Sequence, residues 1–102
     1  MFQFTPKDSG LEIKIQVKRF DATDSERFKS MLNEHIINKN LSFVRIDMSD
    51  VEFIDSSGMK ALVSIHKYLK ENAEPITILH PKPAVVSMIE LLRLTPIFKN
   101  EN

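Results

Sequence analysis

The segment of residues 11–18 alternates strictly between apolar and polar side chains. Its apolar members are Leu11, Ile13, Ile15 and Val17. Successive side chains of a β-strand point to opposite faces, so this pattern predicts a strand with one face on a core. Residues 2–5 predict a shorter strand before it, and residues 7–10 have the chemistry of a turn. The chain is therefore expected to start with a β-hairpin.

After Asp21 the apolar residues no longer recur at every second position but at every third or fourth. Thr23 and Glu26 have the spacing of a capping box, which satisfies free backbone N–H groups at a helix start. The apolar residues that follow at helical spacing are Phe28, Met31, Leu32, Ile36 and Ile37. We expect an amphipathic helix that ends near residues 38–40.

The remainder of the chain alternates strands with helices. The predicted strands are residues 43–48, a buried apolar stretch at 51–54, and residues 76–79. A second helix is expected from Met59 to about Lys70, and a third from Pro83 to a stop at Pro96. Strands joined through helices pair in parallel. We therefore predict an α/β fold: one domain over residues 1–102, with a mixed sheet of four or five strands and three or four helices.

Composition narrows the classes of function. The chain has no cysteine, which excludes disulfides, a thiol nucleophile and thiolate metal ligands. It has 14 basic and 14 acidic residues, so it lacks the net positive charge that attracts nucleic acid or anionic lipid. The sequence contains neither a secretion signal nor an apolar run of about 20 residues. We expect a cytoplasmic protein without membrane insertion or direct nucleic-acid binding.

The common catalytic and cofactor motifs are missing. The three histidines do not have metal-ligand spacing, and neither Gly10 nor Gly58 belongs to a phosphate-binding loop. His35 and His66 lie beside the apolar faces of their predicted helices, which favours partly buried packing roles. We therefore expect no metal and no cofactor.

Four acidic residues between the third strand and the second helix resemble a catalytic carboxylate pair. They are Asp47, Asp50, Glu52 and Asp55. Acids near strand ends and helix starts are common because they are solvated there and favoured by the helix dipole. Nothing in the sequence raises a carboxylate pKa or supplies a base for a nucleophile. We therefore expect no enzymatic activity.

Two serines stand at the start of the second predicted helix. Ser56 or Ser57 is placed to cap the helix with its hydroxyl. The serine that does not cap projects from the helix N-terminus, where free N–H groups and the positive dipole end favour an added phosphate.

The segment of residues 47–58 reads Asp-x-Ser-x-Val-x-Phe-Ile-Asp-Ser-Ser-Gly and resembles the signature of the STAS domain, the family of bacterial anti-sigma factor antagonists. Two further elements are similar to the family: Phe20-Asp21-Ala22 and the closing residues 91–98. Nearly the whole chain is covered by the resemblance, and the order of elements agrees with the family fold.

The resemblance implies a phosphorylation-switched interaction domain without catalysis of its own. The acceptor is then Ser57, and Ser56 is the fallback acceptor or the cap. The implied partner-binding residues are Asp21, Asp55, Ser56, Gly58 and Met59. The unmodified chain would bind an anti-sigma factor that is also a serine kinase, and phosphorylation would release it. A serine phosphatase would reset the switch, and the chain would be a monomer or weak homodimer.

Other functions stay open at this stage. One is a STAS accessory subunit of another assembly, such as a lipid-transport ATPase or a signalling complex. Another is an enzyme that uses Ser57 as a nucleophile, although no base is placed for it. Lys18, Lys60 and Pro96 depart from the family pattern. The two lysines could change which partner docks, and Lys60 could screen a phosphate on Ser57.

Overall fold

The computed structural model describes residues 1–36 and 40–102. Within them the strands are β1 (Phe2–Lys7), β2 (Gly10–Ile15), β3 (Arg19–Phe20), β4 (Phe43–Asp47), β5 (Phe53–Ile54), β6 (Ile76–Leu79) and β7 (Phe98–Glu101). The helices are α1 (Ala22–His35), α2 (Ser56–Val63) and α3 (Pro83–Leu91), and a 3-10 helix (Ser64–Tyr68) continues α2.

Five strands form the main sheet in the order β1-β2-β4-β6-β7. β1 and β2 are the antiparallel hairpin, with Phe2 opposite Ile15. The pairs β2–β4, β4–β6 and β6–β7 are parallel. The prediction of a mixed sheet that starts with a hairpin is confirmed. β7 was missed because Phe98 is its one buried residue, so the strand carries no alternation.

One face of the main sheet is buried and the other is open. Its buried residues include Ile13, Ile15, Val44, Ile46, Ile76 and Ile78, which join the apolar faces of the helices in one core. On the open face the register places Glu12 beside Arg45, whose guanidinium lies 3.7 Å from the Glu12 carboxylate. The alternation of residues 11–15 therefore separates core from solvent as predicted, but the strand predicted over residues 11–18 ends at Ile15, and Val17 is only half-buried.

Two short strands lie outside the main sheet. β3 and β5 pair in parallel, with Arg19 opposite Phe53 and Phe20 opposite Ile54. β3 and its pairing with β5 were not predicted, because two residues are too few to show a period. This pairing sets the positions of two helices, since β3 leads directly into α1 and β5 leads directly into α2.

The helices differ from their predicted bounds. α1 ends at His35, before the predicted end near residues 38–40; Ile37, Asn38 and Lys39 lie outside the described residues. α2 starts at Ser56 rather than at Met59, so both serines are within its first turn. Helical structure continues to Tyr68, although its last part is 3-10. No helix of residues 1–36 and 40–102 is long and apolar enough to cross a membrane.

α3 begins at Pro83 as predicted but ends at Leu91, well before Pro96. Arg93 takes a left-handed conformation with φ of 57°. The Leu94 N–H donates to the Ile89 carbonyl at 2.9 Å and the Arg93 N–H donates to the Glu90 carbonyl at 3.0 Å. These two bonds are a Schellman motif. The helix is therefore stopped by its own C-terminal turn and not by the proline.

Candidate functional site

The pair of strands β3 and β5 brings two helix starts side by side. Both strands run in the same direction, and each is followed at once by an aspartate and then a helix. Asp21 stands before α1 and Asp55 stands before α2. The parallel pairing therefore places the two segments that the sequence analysis selected, residues 20–22 and 55–58, next to each other.

Asp55 caps α2. One of its carboxylate oxygens accepts a hydrogen bond from the Gly58 N–H at 2.8 Å. The expectation that Ser56 or Ser57 caps this helix is wrong, because the helix begins one residue earlier than a serine cap requires. Ser56 and Ser57 are instead the first and second residues of the helix.

Asp21 caps α1 in the same way. Its carboxylate accepts from the Thr23 N–H at 3.2 Å and the Asp24 N–H at 3.5 Å. The predicted capping box of Thr23 and Glu26 is therefore wrong. Asp21 is closer to the helix start than Thr23, and its side chain takes the N–H groups that Thr23 would have served.

Gly58 joins the two helix starts. A Cβ atom built on Gly58 would collide with the Phe20 carbonyl oxygen and lie 2.8 Å from the Ile54 side chain. The glycine is needed for close approach, since no glycine has a positive φ among the described residues. The first turn of α2 therefore packs directly on the backbone that leads into α1.

The proposed acceptor hydroxyls are accessible to different degrees. Ser56 is exposed and Ser57 is half-buried. Among the described residues, neither hydroxyl takes part in a hydrogen bond. Gly58 and Met59 are buried, so of these four neighbours only the two serines present polar atoms at the surface. Gly58 and Met59 contribute to packing beneath them.

The acidic segment before the site is closer to basic groups than the sequence suggests. Between Arg45 and Lys60 there is no basic residue in the sequence. In the fold, however, the Lys82 ammonium donates to the Ser49 carbonyl at 2.5 Å. Lys82 also shares a cleft of about 290 Å³ with Lys18, Asp50 and Glu52. Lys82 was not predicted at this place, because it stands at the start of α3, in a distant part of the chain.

Asp47 is held in its ionised form. Partial burial works to raise the pKa of Asp47, but hydrogen bonds from the Ser49 backbone N–H and hydroxyl outweigh it, aided by the charges of Lys14 and His80. The pKa of Asp47 therefore lies below its ordinary value of 3.8. The hydrogen bond from the Ser49 N–H to the Asp47 carboxylate is 2.9 Å long and closes a turn after β4. This is a structural role, and it gives no catalytic acid.

Phe53 differs most from its predicted environment. The stretch of residues 51–54 was expected to be buried, and Val51 and Ile54 are, but Phe53 is 37% exposed. The Arg19 guanidinium lies over its ring, 4.2 Å from the centroid. The alternation of a strand offered a signal, because Phe53 and Ile54 must point to opposite sides.

The histidines do not form a metal site. His35 and His66 are exposed, so the expectation that they are partly buried is wrong; His35 packs instead by stacking on the Phe4 ring at 5.1 Å. Across residues 1–36 and 40–102, no three acidic or histidine side chains are grouped so as to hold a metal ion.

A sequence model of the STAS domain matches residues 11–102 of this chain. The fold is similar to the anti-sigma factor antagonist SpoIIAA in its unphosphorylated form, with a TM-score of 0.78 and 18% identity, over 100% of this chain and 89% of that one. The phosphorylated form of SpoIIAA, from Bacillus, gives a TM-score of 0.71 and 17% identity, over 100% and 92%.

An anti-sigma factor antagonist from Mycobacterium paratuberculosis is equally similar. Its TM-score is 0.79 at 19% identity, over 98% of this chain and 83% of that one. At such identities the likeness establishes the fold.

Proposed function

The chain belongs to the STAS domain family, and from this membership we propose that it is an anti-sigma factor antagonist switched by phosphorylation. In the unmodified state it binds an anti-sigma factor that is also a serine kinase, and phosphorylation of Ser57 releases that partner. A serine phosphatase restores the unmodified state. The whole cycle is proposed to take place in the cytoplasm, with residues 1–102 acting as one interaction domain without catalysis of its own.

The observation that carries the proposal is the state of the Ser57 hydroxyl. It sits at the second position of α2, and Asp55 already caps the helix through the Gly58 N–H. The serine is therefore not needed for folding the helix start. A kinase can modify it without breaking a hydrogen bond on which the fold depends, because the hydroxyl makes none within the described residues.

The physics of release is local. A phosphate adds about −1.5 to −2 charges at neutral pH. The start of a helix tolerates that charge, because its free N–H groups and dipole are positive. A partner surface packed against α2 does not, since burying an unpaired dianion costs several kcal/mol, and about 1.4 kcal/mol is a tenfold loss of affinity. Affinity can thus change while the fold stays the same.

Asp21 and Asp55 frame the proposed docking surface. Both carboxylates are half-buried caps that the β3–β5 pairing places beside the first turn of α2. Ser56 is the fallback acceptor, because it is the more exposed of the two serines. Lys60, exposed and three residues after Ser57, is a counter-charge for the phosphate on the same helix.

The proposal is tested first by intact mass and phosphosite mapping of the chain purified from its native cell. We expect one phosphate, on Ser57, absent from the Ser57→Ala variant and retained by Ser56→Ala. Phosphate that persists in Ser57→Ala and disappears in Ser56→Ala would move the acceptor to the fallback residue.

The second test concerns the partner. A tagged Ser57→Ala chain should fold normally and retain a protein with a serine-kinase fold, identified by mass spectrometry and then purified. That kinase should transfer phosphate from ATP to wild type and bind Ser57→Asp less tightly than Ser57→Ala. Loss of kinase binding by Ser57→Ala contradicts the switch. Co-purification with a transporter ATPase instead would assign the chain to the accessory-subunit class.

A further inference from the structure

Phe53 is an exposed aromatic residue that is not part of the hydrophobic core. β5 has two residues, and Ile54 fills the core with 1% exposure while Phe53 points outward with 37% exposure. The other aromatic residues of this end, Phe20 and Phe28, are buried. Packing inside the protein therefore does not explain an aromatic residue at position 53.

The backbone holds the Phe53 ring and the Arg19 guanidinium together. Arg19 and Phe53 are register partners in the β3–β5 pairing. The Lys18 carbonyl accepts from the Glu52 N–H at 2.8 Å and from the Phe53 N–H at 3.0 Å, which fixes the approach of the two strands. The guanidinium then lies 4.2 Å from the ring centroid. The pair is ordered before any partner arrives, which lowers the entropic cost of binding through it.

Apart from its contact with the Phe53 ring, the charge of Arg19 is not paired with any carboxylate among the described residues. Arg19 is exposed, and it takes part in none of the ion pairs between described residues. A guanidinium stacked on a ring keeps its N–H edge free, and that edge matches a carboxylate in a bidentate geometry. Arg19 can therefore pair with an acidic side chain from another protein.

A second arginine and phenylalanine pair provides a contrast. The Arg45 guanidinium lies 4.9 Å from the Phe43 ring centroid, on the open face of the main sheet. That guanidinium is already paired with Glu12 at 3.7 Å, and Phe43 covers Gly10. The chemistry is the same, but both members are engaged within the sheet.

The Arg19 and Phe53 pair lies within the reach of an interface at Ser57. Ser57 is four positions after Phe53 in the chain, so their Cα atoms are at most about 14 Å apart. An ordinary interface covers about 800 Å² per partner, a disc of roughly 16 Å radius. A partner whose contact area is centred on Ser57 therefore also covers Phe53.

We propose that Arg19 and Phe53 form an anchor for the kinase partner, in which Phe53 enters an apolar depression and Arg19 pairs with a carboxylate at its rim. This inference rests on the proposed function, because it names the chemistry of the same partner. Buried aromatic and arginine side chains supply most of the energy of many interfaces. The anchor carries no phosphate, so it strengthens binding in both states of Ser57.

The test uses the purified kinase identified with the Ser57→Ala chain. Isothermal titration gives the Kd for wild type, Phe53→Ala, Arg19→Met and the control Arg45→Met. We expect about a 30-fold weaker Kd for Phe53→Ala and about tenfold for Arg19→Met, as for buried aromatic and arginine anchors of an interface. Arg45→Met should stay within about twofold. The double variant should lose less than the product of the single losses.

Binding and phosphate transfer separate the two proposals. Transfer to Ser57 with an unchanged Kd for Phe53→Ala and Arg19→Met overturns the anchor and leaves the switch standing. Weakened binding of both variants to a captured protein that transfers no phosphate supports the anchor and rejects the kinase. Urea unfolding of each variant verifies folding; if Phe53→Ala is unstable, Phe53→Leu and Arg19→Met decide.

Discussion

The starts of α1 and α2 are built on one plan and differ in three residues. Each helix follows a two-residue strand of the β3–β5 pair, and each is capped by an aspartate. After the cap, α1 continues Ala22-Thr23-Asp24 and α2 continues Ser56-Ser57-Gly58. Thr23 and Ser57 therefore occupy the same helical position, and each presents a hydroxyl two residues after a carboxylate.

The residues around these two hydroxyls set them apart. The third position of α1 is Asp24, whose carboxylate lies 3.7 Å from Arg27, and the third position of α2 is Gly58, wedged on the Phe20 carbonyl. Three residues after Thr23 comes Glu26, whereas three residues after Ser57 comes Lys60. Both helix starts thus have an aspartate cap, but the small, uncharged residues and the cation that favour an added phosphate surround Ser57.

The largest expected effect comes from filling the space at the third position. Gly58→Ala forces a Cβ atom against backbone that cannot move without separating the two helix starts. We expect a loss of about 2–3 kcal/mol in unfolding free energy, the upper part of the range for overpacked cores. Asp24→Ala at the same position of α1 should cost at most about 0.5 kcal/mol. Urea denaturation measures the unfolding free energy of both variants. Equal losses would contradict the close contact between Gly58 and the Phe20 carbonyl.

Removing each cap should have the next largest effect. Asp55→Ala should cost about 1–2 kcal/mol and Asp21→Ala about 0.5–1 kcal/mol, within the range for cap deletions. Asp55 is expected to matter more, because its 2.8 Å bond is shorter than the 3.2 and 3.5 Å bonds of Asp21. Asparagine at either position is the control, since it still accepts the N–H bond. A larger loss for Asp21→Ala would reverse this ranking.

A smaller effect is expected when a negative charge is placed at the second position. Ser57→Asp gains from the helix dipole and from Lys60. Thr23→Asp meets Glu26, and Arg27, four residues after it, is already paired with Asp24 at 3.7 Å. We expect Ser57→Asp to be the more stable variant by roughly 0.5–1 kcal/mol. Repeating Ser57→Asp with Lys60→Met should remove part of that difference, and Lys70→Met serves as a control. If Lys60→Met leaves the stability of Ser57→Asp unchanged, Lys60 does not act as a counter-charge at this position.

The smallest effect concerns Asp47, a third carboxylate that accepts a backbone N–H, in a turn instead of a helix. Its pKa is lower in the folded chain than in the unfolded chain, so its stabilising contribution is complete above the ordinary value of 3.8. That contribution is lost as the pH falls through the folded pKa. The stability gap between wild type and Asp47→Asn should therefore narrow in urea titrations below about pH 4. A constant gap would contradict the direction of the shift.

Much of the fold followed from local patterns. The alternation of residues 11–15 marks the buried face of β2, and residues 76–79 form β6 with the predicted bounds. Phe28 and Leu32 are buried on α1 as their spacing indicates. Such patterns succeed because each buried strand or helix must place its own apolar residues on one side.

The errors have two physical origins, one within a few residues of sequence and one in contacts between distant segments. Asp21 and Asp55 displaced the expected caps because each lies one position before its helix. Phe53 faces solvent and Arg19 rather than the core, and Lys82 reaches the acidic segment from α3. No short window of sequence contains both Arg19 and Phe53, or both Lys82 and Ser49.

The sequence alone determined the order of the helices and of most strands, the hairpin, most core-facing residues and a serine pair at a helix start, because those depend on periodicity and composition within a few residues. The tertiary structure alone decided that two capped helices begin side by side, that Gly58 is the contact between them, and that Arg19 covers Phe53. These features arise from the parallel pairing of two strands of two residues each. A pairing so short leaves no period to detect, and its partners are distant in the chain.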